Sequence, residues 1–107
     1  MAKGLVVHTA SGTRSENYAG PLSGLVCAYA VCEAVYNKAL QYAADGFRQV
    51  KEVSYTFHCG ELKLTLDNGS CFTTQVFLDG VVDVKAALRN VLRQIPFPLV
   101  LQGPPVA

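Results

Sequence analysis

The chain has 107 residues, of which 50% are hydrophobic and 16% are charged, and its formal net charge is +1. This length and composition predict a single domain, residues 1–107, with a hydrophobic core of its own. A net charge close to zero argues against a partner held chiefly through phosphate contacts. So few charges also favour self-association over a freely soluble monomer.

The N-terminal part predicts a short strand followed by a long polar loop. Residues 5–7 form an apolar run suited to a strand at the edge of a sheet. Residues 8–20 are rich in Ser, Thr, Gly, Asn and Arg without hydrophobic periodicity, and long loops in compact domains are often functional. This loop leads into a helix N-terminus, where free N–H groups favour anions. The candidate binding residues for a small anionic ligand are Arg14, Ser15, Asn17, Tyr18 and Ser23. The alternative is a surface loop that ends in an ordinary helix cap.

The next stretch predicts the longest helix, over residues 21–44. Pro21 suits a first helical turn, and the Asp45-Gly46 pair is a plausible stop. The predicted apolar arc covers about half of the helix and consists of Leu22, Leu25, Tyr29, Cys32, Val35, Tyr36, Ala39, Leu40 and Ala43. One sheet face cannot easily cover so much apolar surface, and Ala30 and Ala34 leave room for another backbone. We therefore predict a homo-oligomer, most simply a homodimer, formed through this first helix.

Residues 50–78 predict a meander of three antiparallel strands. Val53, Tyr55 and Phe57 alternate with polar residues, and a two-residue turn at Cys59-Gly60 would place Glu61 opposite His58. After the second strand, the sequence Asp67-Asn68-Gly69 is a strong turn signal, because Asn and Gly tolerate positive φ.

The second turn also decides the register of the third strand. If residues 67–69 form a three-residue loop with Gly69 at the left-handed position, Leu66 opposes Ser70. Phe72 and Val76 then share an apolar face with the leucines of the second strand. A slip of one residue would turn them outward, so burial favours this register. The other face becomes a polar platform made of Ser54, Thr56, His58, Glu61, Lys63, Thr65, Cys71, Thr73 and Gln75.

The C-terminal part predicts a second helix and a last short strand. Apolar residues from Val84 to Ile95 follow a helical period, and either Asp79 or Asp83 can cap its start. Lys85, Arg89 and Arg93 form a basic stripe on its exposed side. This stripe is usual for a solvated face, and it is also the site of an alternative nucleic-acid-binding function. Pro96 and Pro98 end the helix, and residues 99–101 predict an edge strand near residues 5–7.

No residue pattern indicates catalytic chemistry, a metal site or a cofactor. Two His and four Cys lack the spacings of a zinc site. His58 and Cys59 are neighbours on a strand, where successive side chains point to opposite faces, so they do not form a nucleophile–base pair. The cysteines do not form a disulfide framework, which indicates reduced thiols in the cytoplasm.

The first four residues lack the apolar core of a signal peptide. Glu33, Asn37 and Lys38 interrupt the apolar run that begins at Leu22, so it does not predict a membrane span.

Together these patterns predict an α+β fold in which a three-stranded antiparallel meander packs on two helices, with short N- and C-terminal edge strands. The function that they favour is non-enzymatic. We expect a small homo-oligomeric binding or adaptor protein that binds a protein partner or sequesters a small anionic ligand. A nucleic-acid-binding domain is the second hypothesis, and a thiol-dependent enzyme is the third.

Overall fold

The computed structural model describes residues 4–78 and 83–102. Along these ranges the chain forms β1 (Leu5–Thr9), β2 (Gly12–Glu16), α1 (Leu22–Ala43), β3 (Val50–Thr56), β4 (Glu61–Leu66), β5 (Cys71–Gln75), α2 (Val84–Gln94) and α3 (Phe97–Gln102). The strands form one antiparallel sheet in the order β2-β1-β3-β4-β5. The predicted α+β class is confirmed. The smaller architecture of three strands and two helices is corrected to five strands and three helices.

The N-terminal prediction of an edge strand followed by a loop is wrong. β1 lies inside the sheet, between β2 and β3, and β2 occupies residues that were predicted to be loop. Gly12, with φ +115°, lets the chain reverse between the two strands. His8 and Thr13 then face each other, with His8 Nδ1 and Thr13 Oγ1 hydrogen bonded at 2.6 Å. Because β2 is an edge strand whose residues are all half-buried or exposed, it lacks the hydrophobic alternation that predicts a strand.

The predicted meander is present as β3, β4 and β5, but its first turn is wrong. Thr56 pairs with Glu61, so residues 57–60 connect the strands and His58 does not oppose Glu61. Gly60 has φ +66° and is buried, and its carbonyl accepts a hydrogen bond from the Val76 N–H at 2.7 Å. The segment after β5 therefore bonds to Gly60, and the turn between β3 and β4 is longer than the predicted two residues.

The second turn and its register are confirmed. The Leu66 N–H donates to the Ser70 carbonyl at 2.9 Å, and Gly69 has φ +85°. Leu64 consequently pairs with Phe72, which packs half-buried against the core, whereas Cys71 is exposed. The three-residue loop is thus the one that the burial of the apolar face selects.

α1 packs across β1 and β3 on one face of the sheet, and α2 packs along α1. The predicted ends of α1 agree with its observed start after Pro21 and its end before Asp45. The sheet covers only part of the predicted apolar arc, and Leu22 and Leu40 are exposed. The side that faces the sheet carries Cys27, Ala28, Val31, Cys32, Val35, Tyr36 and Ala39. Ala28, Cys32 and Ala39 are small, so the helix backbone can approach the sheet closely at these positions.

The C-terminal segment contains a helix where an edge strand was predicted. Asp83 caps α2, since its Oδ1 accepts a hydrogen bond from the Ala86 N–H at 3.2 Å; the alternative cap, Asp79, lies outside the described residues. After Pro96 the chain turns into α3, in which Pro98 occupies the first turn, where its missing N–H costs nothing. Leu101 is buried, and its carbonyl accepts a hydrogen bond from the Arg48 N–H at 2.8 Å, which ties α3 to the segment before β3.

Candidate binding surfaces

The predicted anion-binding residues do not line one loop. Arg14 and Ser15 are successive residues of β2, so their side chains point to opposite faces of the sheet. Arg14 Nε lies 3.9 Å from Glu16 Oε1, and both side chains are exposed. Asn17 lies in the connection with φ +55°, and Ser23 belongs to the first turn of α1. The structure therefore separates residues that the sequence grouped.

Tyr18, the fifth predicted ligand residue, packs against its neighbours. Its hydroxyl donates a hydrogen bond to the Pro21 carbonyl at the start of α1. Its ring centroid lies 4.5 Å from that of Phe57. A Cβ at Gly24 would lie 2.9 Å from the Tyr18 hydroxyl, so Gly24 leaves the space that the hydroxyl fills. These contacts fix the start of α1 beside the turn between β3 and β4.

One face of the sheet is not covered by the described helices, whose buried side chains share a core with the opposite face. Paired residues of an antiparallel sheet lie on the same face, so the strand pairing gives the rows of this open face. One row carries two cations and contains Arg14, Val7, Ser54, Lys63 and Thr73. The next row carries two carboxylates and contains Glu16, Leu5, Thr56, Glu61 and Gln75. The two rows thus carry charges of opposite sign, while Val7 and Ser54 at the centre of this face are buried.

The two edges of the sheet differ in charge. β2, at one edge, presents Arg14 and Glu16. β5, at the other edge, has no charged residue, and neither has any position from Ser70 to Leu78. Natural proteins commonly protect edge strands with charges, because a free edge is a template for pairing with another chain. The uncharged run is visible in the sequence, but the sequence alone does not show that β5 lies at the edge of the sheet.

The outward side of α1 is the second unusual surface. Leu22 and Val26, one helical turn apart, are 72% and 55% exposed, whereas Leu40, 41% exposed, lies farther along the same side beyond the exposed Glu33. α1 has no charged residue before Glu33, so its first three turns present no charge on any side. An apolar strip of this kind on a surface helix is typical of a contact site for another protein.

Ala30 and Ala34 were predicted to face a second copy; Ala30 lies one turn from Val26, whereas Ala34 lies on a different flank of α1. Tyr36 contacts His8 on β1, with ring centroids 4.7 Å apart, which fixes one flank of α1 over the β1 side of the sheet. Ala34 lies about 160° around the helix axis from Tyr36 and is therefore on the side of β4 and β5. α2 lies there, beside β5, and packs along α1. Ala34 thus lies on the flank of α1 where α2 packs, and the contact of a second copy with α1 stays a prediction.

The basic stripe is present as predicted. Lys85, Arg89 and Arg93 are all exposed on α2. Their spacing of four residues places them along one side of the helix. The described cations of the open sheet face, Arg14 and Lys63, do not extend this stripe, because they lie on the other side of the sheet from the helices.

The thiols do not assemble into a reactive site. Burial raises the pKa of Cys27 and raises the pKa of Cys32 to about 12, so neither is a ready thiolate. Cys59 and Cys71 are exposed, and all four cysteines are unpaired. Within residues 4–78 and 83–102, no group of three or more His, Cys, Asp or Glu side chains could hold a metal ion.

Comparisons with known proteins do not show a family for this chain. No family model matches the chain, and neither a curated protein nor a solved structure matches it. Among the helices of the described ranges, none combines the length and the apolar character that crossing a membrane requires.

Proposed function

We propose that this protein is a small, non-enzymatic, homo-oligomeric adaptor that binds a protein partner through the outward side of α1. The observation that carries the proposal is the exposed apolar strip formed by Leu22 and Val26 in the uncharged first three turns of α1. A cytoplasmic location is part of the proposal and is supported by the four unpaired cysteines.

The apolar strip suits a protein partner better than a small ligand. It lies on a helix surface, and complete burial of a Leu or Val side chain contributes about 1.5–3 kcal/mol. Leu22 and Val26 are separated by one helical turn and have no charged neighbour on α1. A partner with an apolar surface would cover them without removing water from a charged group.

The other hypotheses have less structural support. A small anionic ligand would need the five predicted residues to converge, whereas Arg14 and Ser15 point to opposite faces. A thiol-dependent enzyme would need a reactive thiolate, and burial disfavours that state at Cys27 and Cys32. Nucleic-acid binding is supported only by the exposed stripe on α2, and it would be recognised by binding that weakens steeply with added salt.

Site-specific photo-cross-linking in cells tests the proposed surface. A photoreactive amino acid at Val26 should yield a specific adduct with a partner protein, which mass spectrometry identifies. The control is the same amino acid at Lys51, an exposed position in the irregular part of β3. The identified partner, once purified, should lose at least tenfold in affinity for the Val26→Asp variant in calorimetry, with no change in the melting temperature. Equal adducts at both positions, or unchanged affinity, would refute the α1 surface.

A further inference from the structure

We infer that the free edge of β5 pairs with β5 of a second copy of this chain, antiparallel and around a two-fold axis at Thr73. The two five-stranded sheets would then form one continuous sheet. This inference deepens the proposed function, since it names the surface through which the copies associate and leaves the outward side of α1 free for a partner.

The backbone of β5 has the hydrogen-bonding phase that such pairing needs. The Ser70 carbonyl accepts a hydrogen bond from the Leu66 N–H of β4, and the Val76 N–H donates one to the Gly60 carbonyl just before β4. Because successive residues of a strand point their N–H and C=O groups to opposite sides, those of Cys71, Thr73 and Gln75 point away from β4. Outside regular strand pairing, no described backbone group bonds to them. A second strand can therefore dock without breaking a bond in the monomer.

A two-fold axis at Thr73 uses these groups in register. Thr73 would oppose Thr73 of the other copy, and Cys71 would oppose Gln75. The backbone N–H and C=O groups of all three residues point away from β4, so each facing pair would exchange two N–H···O=C bonds. No charge would face a like charge. The same operation on β2 would place Arg14 against Arg14 of the other copy, which is unfavourable.

Exposed apolar side chains at both ends of the edge support a second copy as the occupant. Phe77 and Leu99 are each 71% exposed. Phe77 lines a groove between β5 and α2, and Leu99 lines a groove with Phe72 at the other end of the strand. A two-fold axis at the centre of β5 places the C-terminal end of β5 in one copy beside the N-terminal end of β5 in the other. The exposed groups of both ends would therefore be covered by a single contact.

Substitution of Thr73 tests the pairing. Thr73→Pro removes an N–H that the monomer does not use, and proline is tolerated on an edge strand when its position faces solvent. Thr73→Lys keeps the backbone and places two cations opposite each other. Both variants should sediment as monomers at tens of micromolar with a native circular dichroism spectrum. The unmodified chain and the similarly shaped Thr73→Val control should sediment as dimers.

A disulfide trap tests the register independently. In a Cys59→Ser background, Gln75→Cys would face the native Cys71 of the second copy. Cα atoms of such a facing pair are about 5.5 Å apart, within the range of a disulfide. Within one chain the two positions are about 13 Å apart and cannot bridge. Mild oxidation should give a covalent dimer that disappears when Cys71→Ser is added.

These experiments separate this inference from the α1 proposal. A monomeric unmodified chain, or a dimer that survives Thr73→Pro, overturns the β5 pairing. So does a dimer that Val26→Asp dissociates, because that result would place the copies on α1. A partner adduct at Val26 in a monomeric protein would leave the α1 partner surface intact while rejecting the β5 pairing. A complex with an extended segment of another protein, formed by a monomeric chain, would likewise reject the second copy as the occupant.

Discussion

Truncations at Leu64, Phe72 and Thr73, compared with one another, test the register that defines both the core and the free edge. Leu64 lies at the centre of β4, pairs with Val53 and Phe72, and has no solvent-exposed surface. Strands on both sides hold this site open, so Leu64→Ala should lower the free energy of unfolding by about 3–5 kcal/mol, in the upper part of the usual range. Phe72 is only half-buried, so Phe72→Ala should cost about 2 kcal/mol rather than the full value for a buried phenylalanine. Thr73→Ala, on the open face, should cost less than about 0.5 kcal/mol in the monomer.

Urea denaturation measures this order directly. Each variant should be unfolded at the same protein concentration, and in the Thr73→Lys background, so that association does not contribute to the measured stability of the Leu64 and Phe72 variants. The Thr73→Ala measurement needs dilution until the unmodified chain is monomeric. The midpoint shift and the slope together give the change in free energy of unfolding. A larger loss for Thr73→Ala than for Phe72→Ala would mean that β5 is turned over, and the register would be refuted.

Further predictions concern the thiols and a helix cap. In the native protein, Cys59 and Cys71 should react rapidly with a thiol reagent, while Cys27 and Cys32 should react only after denaturant is added; four rapid reactions would contradict the burial. Burial raises the pKa of Cys32 from 9.0 to about 12, so above pH 9 the unfolded chain loses this proton first and stability falls. At pH 10 the deprotonation of this thiol in the unfolded chain should lower the free energy of unfolding by about 1.4 kcal/mol relative to neutral pH. If Cys32→Ala had the same pH dependence of stability as the unmodified chain, this prediction would be contradicted. Asp83→Ala removes the cap of α2 and should cost about 1 kcal/mol in urea denaturation; no loss would show that the cap contributes nothing.

The sequence predicted the elements whose local signals agree with their surroundings. Asn68 and Gly69 suit a turn with positive φ, and the leucines of β4 alternate strictly, so the second hairpin was predicted with its register. α1 was predicted with its ends, but its apolar residues surround the helix on all sides. Periodicity therefore could not decide that Cys27 faces the sheet and Leu40 faces outward.

The errors arose where tertiary contacts override local pattern. β2 has few apolar residues because an edge strand buries little apolar surface. Its sequence pattern therefore predicts a loop, and the predicted ligand site includes two of its residues, Arg14 and Ser15. The apolar run of residues 99–101 is helical because the two prolines fit around the first turn of α3. The β5 edge could be recognised only after the order of the strands was known, although its lack of charge is visible in the sequence.

Native mass spectrometry of the freshly purified, unmodified chain tests the central claim most directly. The claim is that this protein acts through contacts between proteins and that two copies associate without a small ligand. At tens of micromolar, the spectrum should show a species of twice the chain mass with no additional bound mass. A monomer that retains a small molecule would contradict the claim and would support the alternative function of sequestering a ligand.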